Sequence, residues 1–176
     1  MRYQMKVEEI MNKNPVFVEP DTPVQEIVRI MKEKKIGCVI VKNKKPQGIV
    51  TTRDIVFKHL GEGKGQTAKD IMTTDLVTVS PNKTIEDAAA LMVAKHIERL
   101  PVMHYGKLVG IISTTDILRA EPELYKNVLE GLKMGKGGFV GRGVDFGQCE
   151  SCGNYSDDLE EVNGQWLCEE CREAES

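Results

Sequence analysis

The sequence holds no apolar run near the roughly 18 residues that a membrane-spanning helix requires. Its opening, MRYQMKVEEIM, lacks the apolar stretch of a secretory signal. The expectation is a cytoplasmic protein with no membrane segment. Aromatic residues make up only 5% of the chain, so its core must rest on aliphatic side chains and methionine. There are three histidines and no legible Ser/His/Asp or Cys/His constellation, so the chain is read as non-enzymatic. At 176 residues it is too short for a full TIM barrel, which needs well over roughly 200. Its 29% charged residues exclude neither sign of partner, because the net charge is only −3.

That net charge hides an asymmetry. Residues 149–176 carry nine acids and one base, Arg172, a balance of −8, whereas residues 1–148 carry +5. A mildly basic body suits anionic ligands such as nucleotides; it is too weak to demand nucleic acid. Cysteine is divided just as unevenly, with four of the five after residue 148.

The body repeats itself. Residues 7–37 align with 68–98 at an offset of 61, placing Ile10-Met11 over Ile71-Met72, Pro20 over Pro81 and Met31 over Met92. GIVTTRDI (48–55) aligns with GIISTTDI (110–117) at an offset of 62. A period this long, present twice, predicts a tandem pair rather than a solenoid. Each copy reads β-α-β-β-α. A short strand (16–18; 77–79) is followed by a helix over 23–35, with Thr22–Gln25 as a capping box, or by a helix from Ile85. A hairpin and a second helix from Thr52 or Thr114 follow. A helix is predicted over 123–134, and a flexible linker over 131–147, which holds seven of the 16 glycines. Gly61–Thr67 and the Met134–Gly138 run lack Walker spacing and are turns or linker.

The duplicated Gly-h-h-[Ser/Thr]-x-x-Asp segment is the most specific element: Gly48 to Asp54, and Gly110 to Asp116. With it, residues 5–125 resemble a tandem pair of CBS domains, a Bateman module. The fold class is α+β, with the pair followed by a small β-hairpin domain. The divisions are repeat 1 (1–63), repeat 2 (64–130), linker (131–147) and ribbon (148–176). The hydroxyls of Thr51 and Ser113 sit where a strand enters a helix N-terminus, a place that favours phosphate. Asp54 and Asp116 each offer a carboxylate able to accept both hydroxyls of a ribose. An ordinary N-cap produces the same pattern. The resemblance implies an adenine-type ligand (AMP, ATP, NAD or S-adenosylmethionine) between the repeats. Its ribose would contact Asp54 or Asp116 and its phosphates Thr51 or Ser113. Its base would lie against Ile36-Gly37-Cys38-Val39 or against Arg99-Leu100-Pro101. Arg53, Arg99 and His96, with Thr114 and Thr115 beside the second site, are candidate phosphate partners or plain solvated side chains. Ile40 stands where repeat 2 has Pro101, so the two clefts are not equivalent and Asp116 is expected to matter more.

Cys149, Cys152, Cys168 and Cys171 form C-x2-C-x15-C-x2-C, a strong metal signature. Four thiolates make a closed tetrahedral shell suited to zinc, with iron also accepted. Gly153 permits the bend of the first turn, and Asn163-Gly164 predicts a type I′ hairpin. The segment is similar to zinc ribbons and, in its first turn, to rubredoxins.

The leading expectation is a regulatory module that binds an adenosine-type nucleotide and signals to a protein partner. The resemblance also implies a homodimer, formed through the helix faces at 85–93 and 115–132. A nucleic-acid-binding regulator and an iron-loaded redox protein are the alternatives; the acidic ribbon speaks against the first.

Overall fold

The computed structural model describes residues 4–122, 147–156 and 158–174. The helix expected over 123–134, and the linker up to residue 146, lie outside them. The architecture is α+β, as expected. After α1 (Val7–Ile10), repeat 1 runs β1 (Phe17–Val18), α2 (Val24–Lys34), β2 (Cys38–Lys42), β3 (Pro46–Thr51) and α3 (Thr52–Asp54). Helix α3 continues as a π-helical stretch over Ile55–Gly61. After α4 (Ala68–Ile71), repeat 2 supplies α5 (Ile85–Lys95), β4 (Arg99–His104), β5 (Lys107–Ser113) and α6 (Thr114–Ala120). The C-terminal segment holds β6 (Gly147–Gln148), β7 (Tyr155–Ser156), β8 (Leu159–Val162), β9 (Gln165–Cys168) and α7 (Glu169–Ala174).

The hairpins of the two repeats share one register. Cys38 faces Thr51 and Val39 faces Val50 in β2–β3; Arg99 faces Ser113 and Leu100 faces Ile112 in β4–β5. Each breaks register near its turn, between Val41 and Lys42 and between Val102 and Met103. β1 pairs parallel to β2. The corresponding strand expected at 77–79 is reduced to a parallel bridge between Val79 and Val102. Thr78 is turned away from β4, and its carbonyl accepts from Tyr155 N instead.

Packing crosses the repeat boundaries. One compact unit is Asn14–Leu76; the other joins the chain up to Lys13 with everything from Val77 onward. The leading segments are therefore exchanged. Segment 66–68 ties to the start of α2 through Val24 N to Gln66 O and Ala68 N to Thr22 O, both 2.8 Å. Segment 5–7 does the same for α5, through Ile85 N to Met5 O at 3.0 Å and Val7 N to Lys83 O at 2.9 Å. This arrangement explains one failed expectation. Thr22 does not cap α2: its hydroxyl accepts from Glu19 N, Pro23 is the cap residue, and the first amide of the helix is satisfied by Gln66. In repeat 2, Thr84 does cap α5, in a capping box with Asp87.

Each unit has its own aliphatic core. In the first, Val24, Ile27, Val39, Val41 and Val50 close against Ala68 and Ile71 of α4. In the second, Ile85, Leu91, Met92, Leu100, Ile112 and Ile117 close against Val7 of α1. This corrects the expected contact face at 85–93: Ile85, Ala88, Ala89, Leu91 and Met92 are all wholly buried within their own unit. Exposed apolar side chains are found on the π-helical stretch, at Val56 (52%), Phe57 (59%) and Leu60 (72%), and, within the other expected face at 115–132, at Leu118 (37%) of α6.

Candidate functional site

In each repeat the last strand hands over to a helix, and the signature residues lie at that handover. Thr51 is the N-cap of α3: its hydroxyl accepts from Asp54 N at 3.3 Å and donates to Asp54 Oδ2 at 2.6 Å, while Thr51 N donates to the same oxygen at 2.8 Å. Ser113 and Asp116 repeat the geometry at 3.4, 2.6 and 2.8 Å. Both copies are thus true capping boxes, and each gathers a hydroxyl, a carboxylate and a helix N-terminus within one turn. The strand opposite supplies the rest of the wall. Thr52 N donates to Gly37 O at 3.1 Å, and Thr114 N to Glu98 O at 3.0 Å, so Gly37-Cys38 and Glu98-Arg99 flank their respective caps.

The remaining predicted residues divide by exposure. The side chains of Val39, Leu100 and Pro101 are buried, leaving only their backbone to line a surface. Ile36, Gly37, Cys38 and Thr114 are half-buried, and Thr115 is exposed. Arg53 is exposed and lies over the Phe57 ring at 5.9 Å. Arg99 is 3.5 Å from Glu98, and His96, exposed, ends α5 in the left-handed region with φ 53°. Gly48 and Gly110 have a structural task. A Cβ on Gly48 would meet Met72 Sδ and Thr73 O at 2.8 Å, and one on Gly110 would meet Met11 Sδ at 2.7 Å. The exchanged segments, not a ligand, demand these two glycines.

The two carboxylates differ in their further partners. Asp54 Oδ1 is 2.7 Å from Lys58 Nζ and accepts from Thr73 Oγ1 at 3.0 Å. Lys58 also donates to Ile71 O at 2.9 Å and to Thr73 Oγ1 at 3.1 Å. Burial pushes the Asp54 pKa up, but the hydrogen bonds from Lys58 and Thr51 outweigh it and hold the carboxyl below its ordinary range. Asp116 is half-buried, and its Oδ1 has no hydrogen-bond partner among the described residues. Lys58 and Thr73 were not singled out in the sequence. The available signal was the i, i+4 spacing of Asp54 and Lys58, common on solvated helix faces.

In the C-terminal segment, the sulfurs of Cys149, Cys152, Cys168 and Cys171 lie within 4.8 Å of one another. All four are free thiols, and Cys152 and Cys168 are 3.7 Å apart. A tetrahedron with metal–sulfur bonds of about 2.3 Å has edges of about 3.8 Å, so the donor set fits a closed S4 metal shell. Cys168 N donates to Cys149 Sγ at 3.3 Å. The hydrogen bond from Cys152 draws the Cys168 thiol down to about 5; burial pushes Cys171 up to about 11. Gly153 takes the expected left-handed bend (φ 76°), and Asn163-Gly164 (φ 52° and 85°) closes the β8–β9 hairpin. Leu167 is wholly buried beside the cysteines, while Trp166 is half exposed. Arg172 binds the Asp158 carboxylate at 3.2 Å and Leu167 O at 3.2 Å, so the one base of this segment is committed to holding it together.

The ribbon is seated on repeat 2. Thr78 Oγ1 donates to Asn154 Oδ1 at 2.7 Å, and Asn154 Nδ2 donates to Met103 O at 3.0 Å. Glu170 accepts from Ser80 Oγ and Asn82 Nδ2. Its other oxygen is 3.8 Å from His104 Nδ1, a buried atom with no hydrogen-bond partner among the described residues. Sequence reading counted Glu170 only as one of nine acids and passed over Asn154. No helix among the described residues is long and apolar enough to cross a membrane.

Residues 7–61 and 68–123 each match the CBS domain family. An uncharacterized protein of Methanopyrus kandleri is 36% identical over 179 residues, covering 96% of this chain and 91% of its own. Coverage of that extent takes in the cysteine segment as well as the repeats. The CBS domain-containing protein YhcV of Bacillus subtilis is 34% identical and covers 63% of this chain and 81% of its own. Among solved structures, the CBS domain pair of protein MJ0100, in complex with 5-methylthioadenosine and S-adenosyl-L-methionine, is similar with a TM-score of 0.64 at 27% identity. It covers 69% of this chain and 98% of that one. A hexameric CBS-CP12 protein from bloom-forming cyanobacteria is similar with a TM-score of 0.61 at 35% identity, covering 66% of this chain and 68% of that one.

Proposed function

Since the chain belongs to the CBS domain family and carries two copies of the domain, we propose that it is a non-enzymatic regulatory module. Its ligand is an adenosine-type nucleotide taken at a strand–helix handover. The observation that carries this reading is the doubled cap, in which a hydroxyl, a carboxylate and helix amides converge at Thr51/Asp54 and again at Ser113/Asp116. The adenosine compounds bound by the MJ0100 pair support the same ligand class. Binding signals only if the ligand distinguishes two states of the protein. The seat of the ribbon on repeat 2, through Thr78 and Ser80, is the route to a partner that we assign.

The ribbon carries structural zinc in this reading. Four sulfurs fill a tetrahedral shell and leave no position for water or substrate, so the metal holds the fold. The module acts as a homodimer through the exposed face of Val56, Phe57 and Leu60; the hexameric relative is precedent for self-association of such pairs. Calorimetry with AMP, ATP, NAD and S-adenosylmethionine tests the nucleotide reading. Micromolar binding of at least one is expected, and no heat from any at sub-millimolar concentration refutes it. Elemental analysis of the purified protein tests the metal: one zinc per chain is expected, and iron in its place would favour the redox alternative.

A further inference from the structure

The repeats look alike in sequence at the signature, and their two carboxylates are not alike in the structure. A carboxylate has about four lone-pair positions. At Asp54 all four are taken: Thr51 N and Oγ1 hold one oxygen, Lys58 and Thr73 the other. Asp54 is 7% exposed. An ammonium has three donors, and those of Lys58 are spent on Asp54, Ile71 O and Thr73. The cluster is complete without any ligand. In repeat 2 the position of Lys58, at the offset of 62, is Ala120, which has nothing to donate. Asp116 keeps one oxygen without a protein partner among the described residues. The helices differ as well: that of repeat 1 becomes π-helical at Ile55–Gly61, whereas α6 stays α-helical through Ala120.

We infer that Lys58 seals the first repeat by standing in for the ligand at Asp54. The chain then takes one nucleotide, at Asp116, and repeat 1 is a structural copy. This rests on the nucleotide reading above and assigns that reading to one carboxylate. The physical ground is displacement: a ribose hydroxyl at Asp54 would have to break a charge-assisted bond already made in a buried place, whereas at Asp116 it meets an oxygen that no described residue holds.

The test is calorimetry on the full zinc-loaded chain, with AMP and S-adenosylmethionine as probes, accompanied by thermal melts. The wild type should bind one equivalent per chain. Asp116→Ala should weaken binding by about tenfold or more, and Asp54→Ala by less than about threefold. Ala120→Lys, which installs the i, i+4 partner in repeat 2, should also weaken binding about tenfold while leaving Tm unchanged or raised. Two equivalents in the wild type overturn the inference. So does equal loss in the two aspartate variants, or undiminished binding in Ala120→Lys. If the wild type binds ATP or NAD instead, that ligand takes the probe's place in the same comparison; if none of the four binds, the nucleotide reading itself fails. The seal is then judged by Tm alone: Lys58→Ala must lower it by several degrees, Asp54→Ala must lower it clearly more than Asp116→Ala, which loses only its capping box, and equal shifts in the two aspartate variants overturn it.

Discussion

Thr78 and Asn154, 76 positions apart, are both buried and joined by a 2.7 Å hydrogen bond between their side chains. Asn154 also holds Met103 O and, through its own carbonyl, Cys149 N. One residue therefore links the first cysteine turn to two segments of repeat 2. Asn154→Ala leaves Thr78 and the Met103 carbonyl without partners, at a cost of about 2–3 kcal/mol. Hydrogen exchange should quicken by roughly a hundredfold in peptides spanning 77–82 and 154–156, and stay unchanged in 38–51.

Metal removal should act on the same contact. Residues 147–174 have a core of three cysteines and Leu167, too little to fold unaided. Chelation, or Cys149→Ser, should expose Trp166 fully and release Asn154 and Glu170 from repeat 2. Tryptophan fluorescence reads the ribbon, and far-UV circular dichroism should keep most of its helical signal from the repeats.

The Asp54 carboxyl has a folded pKa below its ordinary value of 3.8. The sign follows: its ionised form stabilises the fold above that value, and the contribution is lost as pH falls through the depressed folded value. Asp54→Asn should be less stable than the wild type at pH 7, with the gap closing below about pH 4. Urea midpoints at pH 7 and pH 3 measure it; an unchanged gap would contradict the ion pair with Lys58.

Gly48→Ala and Gly110→Ala should each destabilise by about 1–3 kcal/mol, because the new methyl meets Met72 and Thr73 O, or Met11 and Asn12 O. Thermal melts should show both losses without change in ligand stoichiometry.

The homodimer reading makes Phe57→Glu and Leu60→Glu monomers by sedimentation. The repeats should stay folded, since both side chains lie on the exposed face.

Local features were legible in the sequence. The C-x2-C pairs, the Asn163-Gly164 turn, the hairpins and the caps at Thr51 and Ser113 depend on a few neighbouring residues, and each appears at its expected place. What depended on distant partners was not. Thr22 reads as a cap until Gln66 satisfies α2 in its stead, and the apolar run at 85–93 reads as a contact face until Val7 covers it. Lys58 draws no expectation from the sequence, because the carbonyl of Ile71 and the hydroxyl of Thr73 that fix it are supplied from further along the chain. In each case the deciding residue lies more than ten positions away, where periodicity carries no information.

The exchange of leading segments bears on how such a chain can change over evolutionary time. Segment 66–72 completes the core of one unit and segment 5–11 that of the other. Loss of a single repeat would strip a survivor of its covering helix and leave that helix's counterpart with nothing to cover. Duplication of a single repeat would create the same mismatch. The heritable quantum of this architecture is thus the pair, and sequence drift can specialise one member, as Lys58 has done, without freeing the other to exist alone.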